Sequence, residues 1–130
     1  MKLYLKIFLV TLVSISLNSL WTGCNYYVED ELNPDPLAGC DTVAVSYAND
    51  LVPILESNCY GCHAAATSAA GAGIVLDNHG GVSTFANIGR LLCVVSFGDG
   101  CSPMPPSGAQ ISACDIALID HWIIDGAPNN

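Results

Sequence analysis

Two cysteines and a histidine stand within five residues near the middle of the chain, in the stretch Cys59-Tyr60-Gly61-Cys62-His63. A chain of 130 residues with 7 cysteines and 3 histidines would contain such a pattern by composition alone with a probability of about 0.01. The pattern constrains the fold, because two thiols three residues apart and an imidazole next to the second thiol have to be brought to one site.

This stretch fits Cys-x-x-Cys-His, the sequence to which a c-type haem is attached. Cys59 and Cys62 would add to the two vinyl groups of haem, and His63 would bind the iron as the proximal ligand. A thioredoxin-like redox pair needs a βαβ setting, and no such alternation is visible. A zinc site needs further ligands, but no second Cys-x-x-Cys follows and the other histidines are widely spaced. We therefore expect one covalent haem c.

A second axial ligand is predicted at Met104, the only methionine apart from Met1. It lies in Ser102-Pro103-Met104-Pro105-Pro106, where the prolines fix φ and disfavour helix at the residues before them. A stiff, extended loop can hold the Met104 thioether against the iron of a haem. The alternative is that Met104 fills a gap in the hydrophobic core, which is the usual role of a single methionine. His79, in a turn-forming stretch, and His121, on the last helix, compete for this role; we expect both to face solvent.

The first twenty residues have the order of a secretory signal, with Lys2 and Lys6 followed by a mostly apolar run. The next residues, Leu20-Trp21-Thr22-Gly23-Cys24, resemble the lipobox of bacterial lipoproteins, although Trp21 stands where that family usually has leucine. The resemblance implies a signal peptide over residues 1–23 and a lipid on Cys24. The alternative is an uncleaved membrane anchor, and both alternatives place the rest of the chain outside the cytoplasm.

Residues 24–39 are acidic, contain Pro34 and Pro36 and show no amphipathic period, so they predict a flexible tether before a domain over residues 40–130. The whole chain has a formal net charge of −9, and Arg90 is the only basic residue beyond position 6. Nucleic acid is excluded as a partner because the cations that neutralise phosphates are missing. We expect Arg90 either to pair with a haem propionate or to form a surface ion pair.

The domain resembles the single-haem cytochrome c domains of bacterial exported lipoproteins, relatives of class I cytochrome c, over nearly its full length. The matching stretches are Asp50-Leu51-Val52-Pro53-Ile54-Leu55, Cys59-Tyr60-Gly61-Cys62-His63, Gly89-Arg90-Leu91-Leu92, Ser102-Pro103-Met104-Pro105 and Trp122-Ile123-Ile124-Asp125-Gly126-Ala127-Pro128. The resemblance implies a small all-α fold around one covalently bound haem, with the first and last helices packed together, His63 proximal and Met104 distal.

Local signals also favour helices. Asp50 can cap a first helix that leads into the two cysteines, and Ser112 with Asp115 forms a capping box before the last one. Apolar residues then repeat at helical spacing, and Gly126 ends the pattern. The four cysteines outside the haem motif and the lipobox predict two disulfides, with three possible connectivities. We favour Cys93–Cys101 and Cys40–Cys114.

Electron transfer is the expected function, because a haem with His and Met axial ligands has no open site for substrate. The protein would not be an enzyme, and its acidic surface predicts a redox partner with a basic docking patch. A five-coordinate haem sensor or a peroxidase-like protein is the alternative, in which Met104 is absent from the iron or leaves it. A haem-free lipoprotein held by disulfides is the third interpretation, and it treats the Cys59–His63 motif as an accident.

Overall fold

Helices, and no strands, make up the regular secondary structure of the part of the chain that the computed structural model describes, residues 4, 6, 35–106 and 108–130. For these residues the all-α prediction is confirmed. The chain divides into two units at Pro34, and the unit Asp35–Asn130 carries the candidate site. Its helices are α1 (Val52–Asn58), α2 (Tyr60–His63), α3 (His79–Asn87), α4 (Arg90–Val95) and α5 (Ala113–Ile124).

A π-helical turn, Tyr47–Leu51, runs directly into α1, so helical structure begins earlier than the sequence predicts. The predicted N-cap at Asp50 is wrong. Ser46 is the N-cap, and its hydroxyl accepts a hydrogen bond from the backbone N–H of Asn49 at 3.3 Å. The Asp50 carboxylate instead accepts from the N–H of Ser46 at 2.7 Å, so both residues satisfy free donors of the same helix start.

Helix α5 begins as the sequence predicts. The Ser112 hydroxyl accepts from the N–H of Asp115 at 3.0 Å, which satisfies one donor of the first turn. Beyond the helix, Gly126 has φ +92°, a left-handed conformation that favours glycine and reverses the chain. The start and the end of α5 are therefore both set by local chemistry.

The hydrophobic core lies where α5 packs against α4 and against the π-helical turn, and where α3 packs against α4. Trp122 of α5 is completely buried, and its indole N–H donates to the carbonyl of Pro128 at 2.9 Å. The other large side chains that are fully buried come from four elements: Leu51, Leu55, Val82 and Ile119. The packing of the last helix on the π-helical turn before α1 therefore builds one face of the core.

Two disulfides stabilise the unit, and they are the pairs that the cysteine spacing favours. Cys40 is bonded to Cys114 in α5, and Cys93 in α4 is bonded to Cys101, with S–S distances of 2.03 and 2.05 Å. The first disulfide ties the start of the unit to its last helix. The second closes a short loop that leads towards Met104.

Most of the segment before the unit lies outside the described residues, including Cys24 and, apart from Tyr4 and Lys6, the predicted signal peptide. At the end of the predicted tether, Asp35–Gly39 forms a turn in which the Asp35 carboxylate accepts from the N–H of Leu37 at 2.9 Å. None of the helices in the described parts of the chain is long and apolar enough to cross a membrane.

Candidate functional site

One cavity of about 370 Å³ opens between the α1–α2 junction, helices α3 and α4 and two loops. This volume is in the range of about 300–1,000 Å³ that is usual for small-molecule and cofactor sites. Its lining contains all five residues that the sequence assigns to a haem: Cys59, Cys62, His63, Arg90 and Met104. Residues separated by up to 45 positions in the sequence therefore contribute to one site.

The α1–α2 junction positions the two thiols. Cys59 is the C-cap of α1, and its carbonyl accepts from the N–H of Cys62 at 3.1 Å and from that of His63 at 2.9 Å. This turn places both later residues directly after the first thiol. Cys59 and Cys62 are free cysteines, in contrast to the four cysteines held in disulfides. Cys62 is exposed, while burial raises the pKa of the half-buried Cys59 to about 11.

The His63 imidazole is held by the loop that follows α2. Its Nδ1 lies 3.3 Å from the carbonyl of Ile74, and the His63 carbonyl accepts from the N–H of Leu76 at 2.7 Å. A carbonyl partner at Nδ1 favours the tautomer with its proton on Nδ1. Nε2 then keeps a free lone pair, which is the form in which imidazole binds a metal.

Gly71 packs directly against this imidazole, a role that the sequence analysis did not assign. A Cβ at position 71 would lie 2.7 Å from Cε1 of His63 and 2.6 Å from the Cys62 carbonyl oxygen. Only a residue without a side chain allows the loop to approach the ring so closely. The sequence shows that residues 64–73 are rich in alanine and glycine, but it does not single out this glycine.

Met104 enters the cavity from the loop after α4. Its backbone N–H donates to the carbonyl of Val94 at 3.0 Å, and its peptide bond to Pro105 is cis. Further along, the Gln110 side-chain amide donates to the carbonyl of Val95 at 3.1 Å. The loop is therefore fastened to the last turn of α4 on both sides of Pro105 and Pro106. Gln110 is a second contributor that the sequence pattern did not indicate.

Arg90 is the first residue of α4 and follows Gly89, which has φ +71°. Its side chain is exposed at the edge of the cavity, and Nη1 lies 3.8 Å from Sγ of Cys101. Among the described residues that line the cavity, Arg90 is the one with a lysine, arginine or carboxylate side chain, and none is Asp or Glu. The described part of the lining therefore carries a positive charge at Arg90, whereas the whole chain has a formal net charge of −9.

The two competing histidines lie outside the cavity lining. The expectation that His79 faces solvent is wrong: it is half-buried, its ring stands edge-on to Tyr47 at 4.9 Å between centroids, and its Nε2 lies 3.0 Å from the Ala127 carbonyl oxygen. A turn-forming sequence did not reveal this packing, because the partners come from the two ends of the unit. His121 is exposed on α5, as expected.

Most other lining residues are small or apolar, and they include Ile74, Phe85, Leu91 and Ile111. The described residues contain no group of three or more His, Cys, Asp or Glu side chains placed to hold a metal ion. No protein-family model, curated protein or solved structure matches the chain. The case for a function therefore depends on the chemistry of this cavity.

Proposed function

We propose that this chain is an electron-transfer protein that carries one covalently attached c-type haem with His63 and Met104 as axial ligands. The observation that carries the proposal is the single cavity whose lining contains two free thiols, an imidazole and a thioether. These are the groups that attachment and ligation of a c-type haem require. The proposal accounts for all of them with one cofactor.

The residues fit this group in four respects. Cys59 and Cys62 are free, although the other cysteines of the unit are oxidised to disulfides. The contact of His63 Nδ1 with a carbonyl leaves Nε2 available for iron. The remaining lining is largely apolar, which suits the burial of a flat, hydrophobic macrocycle. Arg90 lies at the edge of the cavity, and its guanidinium would pair with a haem propionate.

A haem bound here supplies a one-electron redox centre. The protein's own side chains would occupy both axial positions and so exclude substrate from the iron. Met104 would raise the reduction potential relative to a second histidine. The described residues of the lining include no carboxylate for proton transfer. We therefore propose electron exchange with another protein rather than catalysis.

The location and partner follow from charge and redox chemistry. The two disulfides favour an oxidising compartment, which agrees with export and with a lipid on Cys24. With a formal net charge of −9, the chain would associate fastest with a redox protein that presents a basic docking patch. We propose a lipid-anchored protein that faces the periplasm or the cell surface.

Haem attachment can be tested by expressing the full chain in cells that attach haem to Cys-x-x-Cys-His sequences. We expect a mass increase of one haem that persists after denaturation and disappears in Cys59→Ala/Cys62→Ala. The Cys40→Ala/Cys114→Ala variant removes two cysteines elsewhere and should keep the haem. Loss of the haem on denaturation of the unaltered protein, or its retention in the Cys59→Ala/Cys62→Ala variant, would contradict the proposal.

A further inference from the structure

Three consecutive residues in the last turn of α4 hold the loop that carries Met104. Cys93 is covalently bonded to Cys101, the Val94 carbonyl accepts from the N–H of Met104, and the Val95 carbonyl accepts from the Gln110 side chain. The disulfide is the one covalent attachment among the three, and it lies three residues before Met104. The two hydrogen bonds are single, ordinary contacts.

We propose that the Cys93–Cys101 disulfide is a redox-sensitive clamp on Met104: its reduction releases the loop and removes the thioether from the iron. The inference depends on the proposed function, because it concerns the axial ligand of the same haem. With the Cys93–Cys101 disulfide intact, His63 and Met104 would both bind the iron and the protein would act as an electron carrier. With the disulfide reduced, Met104 would leave the iron, which could then bind small ligands.

The surroundings of the disulfide favour cleavage at a particular sulfur. Arg90 Nη1 lies 3.8 Å from Cys101 Sγ, and a guanidinium at this position stabilises a thiolate there. Gly98 packs beside the other sulfur, since a Cβ at position 98 would lie 3.1 Å from Cys93 Sγ. Glycine at position 98 therefore adds no side chain over this sulfur. Cys93 and Cys101 are both half-buried rather than enclosed.

The exchange requires a dithiol reductant. One thiolate of the reductant attacks Cys93 Sγ, the S–S bond breaks, and Cys101 leaves as a thiolate beside Arg90. The second thiol of the reductant then attacks the mixed disulfide, which releases Cys93 as a thiolate and oxidises the reductant to its disulfide. Two electrons pass from the reductant to the protein, and the cysteine thiolates take up protons from solvent.

The other disulfide provides the matched comparison. Cys40–Cys114 joins the start of the unit to α5, whereas Cys93–Cys101 joins α4 to the loop that carries Met104; none of the four cysteines is in the cavity lining. It closes a loop of 74 residues, against 8 for the clamp. Its removal should lower stability without opening the iron, because it makes no attachment to the Met104 loop.

The test uses the haem-loaded full chain. The protein is treated with dithiothreitol, the new thiols are blocked with iodoacetamide, the iron is reoxidised, and peptide mass spectrometry identifies the cleaved disulfide. We expect alkylation of Cys93 and Cys101 to abolish the weak absorption band of the oxidised protein at about 695 nm, which marks sulfur ligation, and we expect carbon monoxide to bind the ferrous form. The same treatment without dithiothreitol should change neither property. A band that survives full alkylation of both cysteines would overturn the inference.

Two variants make the result independent of chemical treatment. Cys93→Ala/Cys101→Ala should lose most of the band and bind carbon monoxide, whereas Cys40→Ala/Cys114→Ala should keep the band. An equal loss in both variants would show a general effect of stability and would contradict the clamp. If the untreated protein shows no band, the His63/Met104 proposal itself fails, so the two failures are distinguishable.

The role of Arg90 has its own kinetic readout. Arg90→Gln should slow the reduction of Cys93–Cys101 by about threefold, because the leaving Cys101 thiolate loses the positive charge that stabilises it. Arg90→Lys, which keeps the positive charge, should restore most of the rate. A rate unchanged in Arg90→Gln would remove Arg90 from the inference.

Discussion

The contact between Gly71 and the imidazole of His63 makes position 71 the most sensitive probe of the site. Gly71→Ala would place a Cβ 2.7 Å from His63 Cε1, whereas non-bonded carbon atoms prefer about 3.5–4.0 Å. The imidazole, the loop or both must therefore move by about 1 Å. A shift of this size would also break the 3.3 Å contact between Nδ1 and the Ile74 carbonyl.

The expected change in the free energy of unfolding is the sum of the steric cost and the cost of the lost hydrogen bond. Forcing an extra carbon into a packed site costs about 1–3 kcal/mol, and the lost hydrogen bond adds about 0.5–1.5 kcal/mol. We therefore expect Gly71→Ala to lower the free energy of unfolding by about 2–4 kcal/mol. Gly61→Ala is the matched control, because a Cβ at position 61 meets nothing within 4 Å. Gly61 lies in α2, where alanine should stabilise by about 0.5–1 kcal/mol.

Urea unfolding of both variants, followed by far-ultraviolet circular dichroism, measures this difference. The expected gap between Gly71→Ala and Gly61→Ala is at least about 2 kcal/mol. Two variants that unfold at the same urea concentration would refute the argument that Gly71 fixes the position of His63.

Three further outcomes follow from the same structure. Trp122→Ala should lower the free energy of unfolding by about 3–5 kcal/mol in urea titrations, since removal of the fully buried side chain leaves a cavity and an unsatisfied Pro128 carbonyl. A change below about 1 kcal/mol would contradict this packing. Ser112→Ala should cost about 0.5–2 kcal/mol in the same assay by removing the N-cap of α5, whereas Ser83→Ala, within α3, should cost less. In the haem-free Cys62→Ser variant, the rate of alkylation of Cys59 should increase as pH rises towards about 11, because burial raises the pKa of this thiol and leaves it protonated at neutral pH. A rate that levels off near pH 9 would contradict the buried position of Cys59.

Features set by neighbouring residues could be predicted from the sequence. The cap of α5 at Ser112 depends on residues three positions apart. The choice of Cys93–Cys101 followed from an even number of remaining cysteines and a short spacing. Met104 was singled out by the prolines around it, and the structure places it in the lining of the same cavity as His63.

Features that depend on distant contacts could not be predicted. Asp50 was an acceptable N-cap by local rules, but Ser46 takes that role because a π-helical turn precedes α1. His79 lies in a turn-forming sequence, yet it packs against Tyr47 from the start of the unit. Gly71 is one of several small residues in its loop, and only the folded chain shows that it meets His63.

The optical spectrum of the oxidised, haem-loaded protein tests the central claim most directly. We predict a weak absorption band at about 695 nm that disappears in Met104→Ala. The band should persist in His121→Gln, which alters the exposed histidine that competes with Met104 as the second iron ligand. The ferrous Met104→Ala protein should then bind carbon monoxide, while the unaltered protein should not. An oxidised protein without the band, whose ferrous form binds carbon monoxide readily, would contradict the electron-transfer proposal and favour a sensor or a peroxidase-like protein.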